Sequence, residues 1–299
     1  MAAPAPEPAP VEALDTPSQE DGISCEAEAE LRAYGAVLIQ RATVLLRLHQ
    51  SACVTAAGIF QRFFCRRSLA DFDVRVTAAA CLLLSCKLQQ ERRLKDIVVV
   101  FCRLFWRAQT VEAGPLPSHR GSFLEMRQAM VNVEKQILHE LGFGVVLLRT
   151  TPHRYMLQFV RAMMATANLV DVIQGAWNYL NDSIRTTLCC QYQPHELAAA
   201  SIFLAADKLG IQLPSRPPWW KSCCVSFEDL MQIATTMAAL YRQPEPRWRE
   251  VRKEMVDVPG FLRSPETEES AGKSPDQREA SRSRSPRPKR VVRLTLGRR

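Results

Sequence analysis

Between Asp73 and Gln90 the alternation of apolar and polar positions gives way to an apolar run. Residues 76–86 contain no charge, no Gly and no Pro, and Val76, Ala78, Ala79, Ala80, Cys81, Leu82, Leu83 and Leu84 cover every direction around a helix. A helix that is apolar all round has to be buried all round. It is also shorter than the ~20 apolar residues needed to cross a bilayer. The pattern therefore predicts the central helix of an all-α bundle, ending at Lys87.

The flanking segments carry apolar residues at helical spacing and pack around that centre. A first helix starts near Cys25, with Ser24 as N-cap and Glu26 and Glu28 complementing the helix dipole. Leu31, Tyr34, Leu38, Leu45 and Leu48 follow. A second runs over about 51–66 with Val54, Ala57, Phe60 and Phe64, and a fourth from Lys95 to about Arg107. After a Pro/Gly loop a fifth covers about 123–141, with Met126, Met130, Val133, Ile137 and Leu141 as its stripe and Gly142 as its stop. Residues 25–145 thus form one five-helix domain.

The pattern then starts again. Pro152 opens a helix with Tyr155, Leu157, Phe159 and Met163. Another covers about 169–188, Pro194 opens a third that Gly210 closes, and a last runs over about 227–242. AAACLLL at 78–84 aligns with AAASIFL at 198–204, which marks a duplicated domain and not a solenoid. In that alignment Lys87 falls opposite Asp207. The second domain spans 146–245.

The ends differ from the body. Residues 1–24 are rich in Ala, Pro and acid, with no Lys or Arg, and read as a disordered acidic arm. Residues 246–299 read as a disordered basic tail with a short Arg-Ser stretch. Arg282, Arg284, Arg287, Lys289, Arg290, Arg293, Arg298 and Arg299 account for the whole net charge of +8. The body is therefore near neutral, which argues against direct binding of duplex DNA. MAAPAPEPAP is no signal peptide, and no run is long enough for a membrane span. The chain is expected to be nuclear, with PRPKR (286–290) as an import signal. Ser264, Ser274 and Ser285 each precede Pro and are candidate phosphosites. A phosphate there would add about −1.5 to −2 charge to a basic segment.

No catalytic constellation is present. The ten cysteines include no C-x-x-C pair, and Cys189/Cys190 and Cys223/Cys224 are poorly spaced for chelation. They read as reduced, structural residues. The five histidines share no metal-ligand spacing and read as surface or loop residues. No phosphate-binding Gly-rich loop or nucleophile elbow occurs. No cofactor, metal or enzymatic activity is expected.

Two residues break the core pattern. Glu134 has Met130, Val131, Ile137 and Leu138 one turn away on either side, and a carboxylate in that setting is costly unless paired. Lys87 ends the apolar helix. Either could be ordinary: Lys87 as a cation favoured at a helix C-terminus by about 0.3–1 kcal/mol, Glu134 at a solvent edge beside Lys135 or His139. Alternatively the two form a polar pair within an apolar patch that bonds a docking partner.

RFF (62–64), CLLLSCK (81–87), VEKQILHELGF (133–143), WNYLNDSIRT (177–186), AAASIFLAA (198–206) and LPSRPPWW (213–220) together resemble transcription-type cyclins, and the resemblance is nearest to the L type. It covers roughly residues 26–245 and implies two tandem five-helix cyclin boxes. It also implies a regulatory subunit that binds and activates a cyclin-dependent kinase, of the PITSLRE type, in transcription and pre-mRNA splicing. Lys87 and Glu134 match the family's kinase-binding lysine and glutamate. The tail would reach splicing factors or RNA polymerase II machinery, and nuclear speckles would be the location.

The chain departs from the L-type pattern after the lysine. Leu88, Gln89, Gln90, Glu91, Arg92 and Arg93 stand where Ile-Glu-Glu and a Pro-containing turn are usual. ELRAYG (30–35) is unlike the substrate-docking motif of cell-cycle cyclins. Two other readings stay open: a diverged cyclin-fold scaffold that binds without activating, and a DNA-binding double repeat like B-type initiation factors. Against the latter stand an arm without cysteine at 1–24 and the neutral body.

Overall fold

The computed structural model describes residues 16–89, 94–109, 120–142, 151–163, 169–216 and 218–242. Among these there is no strand, and the helices fall into two bundles with separate cores.

The first bundle contains α1 (Pro17–Glu20), α2 (Cys25–Leu46), α3 (Gln50–Phe64), α4 (Val74–Gln89), α5 (Leu94–Gln109) and α6 (Arg120–Leu141). α2 begins where the sequence predicts, with the Ser24 hydroxyl accepting from the Ala27 amide at 3.2 Å. It ends at Arg47, whose backbone is left-handed at φ 52°. α4 is the centre: it packs against α2, α3, α5 and α6 and buries Val74 and every residue from Thr77 to Cys86. That is the packing its all-round apolar composition demands. α2 reaches α3 through a close approach at Gly35, whose Cα side is covered by the Phe60 ring.

The arm corrects one expectation. Residues 1–15 lie outside the described residues, but 16–24, read as part of a disordered arm, are folded. Pro17 opens α1 with its φ already set for a helix. Ile23 joins the core, and the buried Ser18 hydroxyl accepts from the Leu69 amide at 3.1 Å. Thr16 Oγ1 and Gln19 Nε2 donate to Glu28 Oε2 at 2.5 and 3.2 Å. Low apolar content hides this segment in composition; one buried Ile and a few specific hydrogen bonds suffice to tie it down.

The second bundle contains α7 (Pro152–Met163), α8 (Leu169–Ser183), α9 (Leu188–Gln191), α10 (Pro194–Leu209), α11 (Trp219–Ser222) and α12 (Phe227–Ala239), followed by a 3-10 turn at Leu240–Arg242. α10 is its centre and packs against α7, α8 and α12. Gly210 closes it at φ 66°. The helix expected over about 169–188 is broken after Ser183. The Ser183 and Thr186 hydroxyls donate to the backbone carbonyls of Leu180 and Ser183 at 2.8 and 2.6 Å, competing with the helix. The Ile184 carbonyl instead accepts from Gln61 Nε2 at 3.1 Å, across to the first bundle.

The two bundles join along α2 and α3 on one side and α8 and α9 on the other. Gln40 Nε2 donates to the Asn181 carbonyl at 2.7 Å and Gln50 Nε2 to Asn181 Oδ1 at 2.7 Å. Arg62 Nη2 donates to the Cys189 carbonyl at 2.6 Å. Ile184 buries its side chain in the first core. These contacts hold the second copy against the first within one unit.

Candidate functional site

The packing of α4 on α6 brings Lys87 and Glu134 together. Lys87 lies in the last turn of α4, where its burial-forcing apolar run has just ended. Its Nζ donates to Glu134 Oε1 at 2.6 Å and to Oε2 at 2.7 Å. The Glu134 side chain is only 7% exposed, whereas that of Lys87 is 53% exposed. The pairing settles the alternative left open by the pattern: Glu134 pairs with Lys87, while Lys135 and His139 point to solvent. His139 Nδ1 instead lies 3.6 Å from Glu140.

The surroundings are apolar on the inside and mixed on the outside. Met130 and Ile137, one turn to either side of Glu134, are fully buried. Val131 and Leu138 are half-buried and Leu124 is 58% exposed. Leu124, Val131 and Leu138 recur every seven residues, so they share a face of α6. An ammonium has three donors, and two are committed to Glu134. The third, with the lone pairs left on the carboxylate, is available to the backbone of a partner laid across this face.

At the end of α4, Gln89 Oε1 accepts from the Ser51 hydroxyl at 2.8 Å, so this residue is held by α3. Gln90 lies outside the described residues, as do the candidate phosphosites Ser264, Ser274 and Ser285. In the second bundle Asp207, the counterpart of Lys87, is exposed beside a cavity of about 330 Å³ that Phe203, Trp219 and Trp220 also line.

Two groups were not foreseen from the sequence. His153, read as a surface or loop residue, is buried at 5% exposure under the Trp177 ring. Its Nε2 lies 3.0 Å from Asn181 Oδ1, which also accepts from Gln50, so Nε2 carries the proton. Burial pushes its imidazole below the usual value, partly offset by that hydrogen bond. The second group is Arg62 with α9: α9 packs on α3, and Arg62 Nη2 donates to the Cys189 carbonyl at 2.6 Å. Neither leaves a signal in spacing, because each depends on helix packing, α8 on α7 for His153 and α9 on α3 for Arg62. Among the described residues no group of three or more His, Cys, Asp or Glu is arranged to hold a metal ion. No described helix is long and apolar enough to cross a membrane.

Comparison with known proteins bears on both bundles. The family described as "Cyclin, N-terminal domain" matches residues 11–146. Cyclin-L1-1 of Arabidopsis thaliana is 33% identical over 240 residues, covering 80% of this chain and 56% of that protein. Human Cyclin-L1 is 34% identical over 241 residues, covering 80% of this chain and 45% of its own length. The chain thus spans about half the length of the curated relatives it matches. Among solved structures, a chain of the yeast RNA Pol II CTD kinase CTDK-1 complex superposes with a TM-score of 0.62 at 16% identity, covering 89% of this chain and 84% of that one. A chain of the CAK complex of Chaetomium thermophilum does so with 0.56 at 16% identity, covering 87% and 84%. At that identity the likeness speaks for the fold, and it extends through both bundles. With a central buried helix in each of two successive bundles, a matching N-terminal domain, and L-type relatives aligned over four fifths of its length, the chain belongs to the cyclin family.

Proposed function

We propose that this chain is a regulatory subunit that binds and activates a cyclin-dependent kinase through the α4–α6 face. The observation that carries the reading is the Lys87–Glu134 pair. A carboxylate inside an apolar patch is held in place by a half-exposed lysine, and both retain hydrogen-bonding capacity toward a partner's backbone. The likeness to Cyclin-L1 and to chains of two kinase complexes supports a kinase as the partner.

The mechanism follows from differential binding. The apolar side chains of α6 would pack on the kinase's αC helix, and Lys87 and Glu134 would bond the backbone beside it. The cyclin prefers the state in which αC is turned inward and its Glu meets the strand-β3 Lys that holds the ATP phosphates. Moving the kinase from mostly off to mostly on takes about 5 kcal/mol of such preference. The subunit needs no catalytic group of its own. By resemblance to the L type, the partner is a PITSLRE-type kinase and the setting is nuclear transcription and splicing. The Arg-Ser tail, with Ser264, Ser274 and Ser285, serves as a phosphorylation-tuned contact for splicing factors or polymerase machinery.

One observation favours a second reading, a scaffold that docks a kinase without switching it on. The altered stretch after Lys87 includes Gln89, whose side-chain oxygen accepts from Ser51 of the same bundle. Affinity purification followed by a kinase assay separates the two, with Lys87→Ala/Glu134→Ala as the control. An active co-purifying kinase lost in the double variant is expected. Recovery of an inactive kinase would support the scaffold. Recovery of no kinase, or unchanged binding in the double variant, would overturn the docking assignment.

A further inference from the structure

Each bundle has a central helix, and at the matching point in its last turn each helix carries a charge. In α4 that charge is Lys87; in α10 the same position of the repeat holds Asp207. A carboxylate in the last turn of a helix opposes the helix dipole, so it is disfavoured there unless a cation meets it. Among the described residues none does: Asp207 is exposed, and its carboxylate has no ion pair or hydrogen bond. Lys208, its neighbour in sequence, lines a different cavity, between α8, α10 and α12.

Asp207 lines the cavity of about 330 Å³ together with Phe203, Leu213, Pro214, Trp219 and Trp220, and it is the one charged side chain among the described residues that do so. The backbone around the cavity is fixed. Gly210, at φ 66°, and the bond from the Ile211 amide to the Ala206 carbonyl at 2.9 Å turn the chain off α10. The Trp219 amide donates to the Pro214 carbonyl at 3.3 Å and closes the loop. The two indoles stand edge to face, with ring centroids 6.2 Å apart at 84°. Trp219 is buried, and neither indole N–H has a hydrogen-bond partner among the described residues. Trp220 also tilts against Phe227 at 5.3 Å, and Met231 follows one turn along α12. Both Phe227 and Met231 are exposed, so apolar surface continues away from the cavity.

We propose that this cavity is a docking site for an arginine side chain in an extended segment of a partner protein, with Asp207 pairing the guanidinium and an indole covering its flat face. Charge complementarity selects a cation, because the cavity offers one unpaired carboxylate and no basic group. An exposed ion pair alone contributes little, so the aromatic walls have to supply the rest. A cation is drawn to the face of an aromatic ring, most strongly to tryptophan. A planar guanidinium can lie on an indole and still present its edge to both carboxylate oxygens, which a lysine ammonium cannot do. The volume lies at the lower end of the roughly 300–1,000 Å³ of ligand pockets, which suits one side chain with its flanking backbone. The indole N–H groups are free to donate to the segment's carbonyls, and Phe227 and Met231 offer a surface for an apolar neighbour of the arginine. The site draws on neither Lys87 nor Glu134, so it stands apart from the kinase-docking assignment.

The test uses the full chain with its five tryptophans replaced by 5-fluorotryptophan and followed by fluorine NMR. The probe is the blocked pentapeptide acetyl-Gly-Arg-Gly-Leu-Gly-amide, compared with versions carrying lysine or citrulline in place of the arginine. Citrulline keeps the planar shape and loses the charge. The arginine peptide should shift the Trp219 and Trp220 resonances saturably and leave that of Trp177 in place. The lysine peptide should bind about threefold or more weakly, and the citrulline peptide about tenfold or more weakly. Asp207→Asn should weaken the arginine peptide to the level of the citrulline one, and added salt should weaken it in the wild type alone. Because Asp207 is exposed, this variant should fold as the wild type does, and its unchanged Trp177 resonance reports that it has. Trp220→Leu should also lose binding, which checks the aromatic wall. The proposal is overturned if the arginine peptide leaves Trp219 and Trp220 unmoved, if citrulline or lysine binds as tightly as arginine, or if Asp207→Asn binds the arginine peptide undiminished.

Discussion

Lys87 Nζ touches both carboxylate oxygens of Glu134, at 2.6 and 2.7 Å, yet the two side chains live in different solvents: one is 53% exposed, the other 7%. The lysine acts as a polar cover over a carboxylate set in the bundle. Because it reaches water, the lysine can lose its partner cheaply. The carboxylate cannot.

That asymmetry predicts unequal costs. Lys87→Ala leaves Glu134 charged and enclosed between Met130 and Ile137, and should lower the unfolding free energy by about 1–3 kcal/mol. Glu134→Gln keeps an acceptor for the lysine and leaves the ammonium half in water, and should cost under about 1 kcal/mol. Urea denaturation of the two variants gives the comparison. The reverse order would mean that Glu134 reaches solvent by a route that its exposure does not reveal.

Gly35 offers a test of the first core that is independent of the pair. A Cβ placed there would stand 2.2 Å from Phe60 Cζ, and Phe60 is fully buried with no room to retreat. Gly35→Ala should therefore destabilise the protein by about 1–3 kcal/mol, although alanine favours helices. Adding Phe60→Leu to it should be less damaging than the sum of the two single changes, because the shortened side chain removes the clash. Thermal unfolding of the three variants measures this, and strict additivity would show that α2 can shift away from α3.

How much of this was legible in the sequence depended on the range of the interaction. α4 and α10 were readable because burial on all sides leaves a mark within one helix, in the run from Ala78 to Leu84 and its copy from Ala198 to Leu204. Ser24, Gly142 and Gly210 marked helix ends because capping is local. The break after Ser183 was not readable: residues 184–187 carry no Gly or Pro, and the Ile184 carbonyl finds its donor in Gln61, 123 residues away. The Lys87–Glu134 contact could be posed from pattern as one of two possibilities, since each residue breaks its own stripe. Deciding it took the α4–α6 packing. The setting of His153 exists only because α8 packs on α7 and Gln50 of the first bundle shares Asn181 with it.

Asn181 concentrates that long-range part. Its side-chain oxygen accepts from Gln50 of α3 and from His153 of α7, while its backbone carbonyl accepts from Gln40 of α2. Asn181→Leu removes the side-chain acceptor and strands two donors at the seam, for an expected loss of about 2–3 kcal/mol. Asn181→Asp keeps the oxygen and should retain both bonds. A probe in each bundle, Trp177 fluorescence for the second and Cys81 labelling for the first, should report divergent urea midpoints in the leucine variant. Coincident midpoints would show that the apolar seam, not this residue, couples the bundles.

The same cluster sets a pH dependence. The fold holds His153 neutral, since burial keeps its imidazole below the usual 6.5 and Nδ1 has no hydrogen-bond partner among the described residues to receive with a proton. The unfolded chain has no such constraint and takes up the proton first as pH falls. The unfolded state therefore binds more protons below about pH 6.5, and stability rises with pH across that region. The contribution from His153 is fully present above the unfolded value and is lost as pH falls through it toward the lower folded value. His153→Gln retains a donor toward Asn181 and removes the titration. Between about pH 7.5 and pH 5 the unfolding midpoint of the wild type should drop by more than that of the variant, whose remaining slope reports the carboxylates and other histidines. Parallel slopes would mean that the folded protein admits the proton at Nδ1, which would require Trp177 to move off the ring.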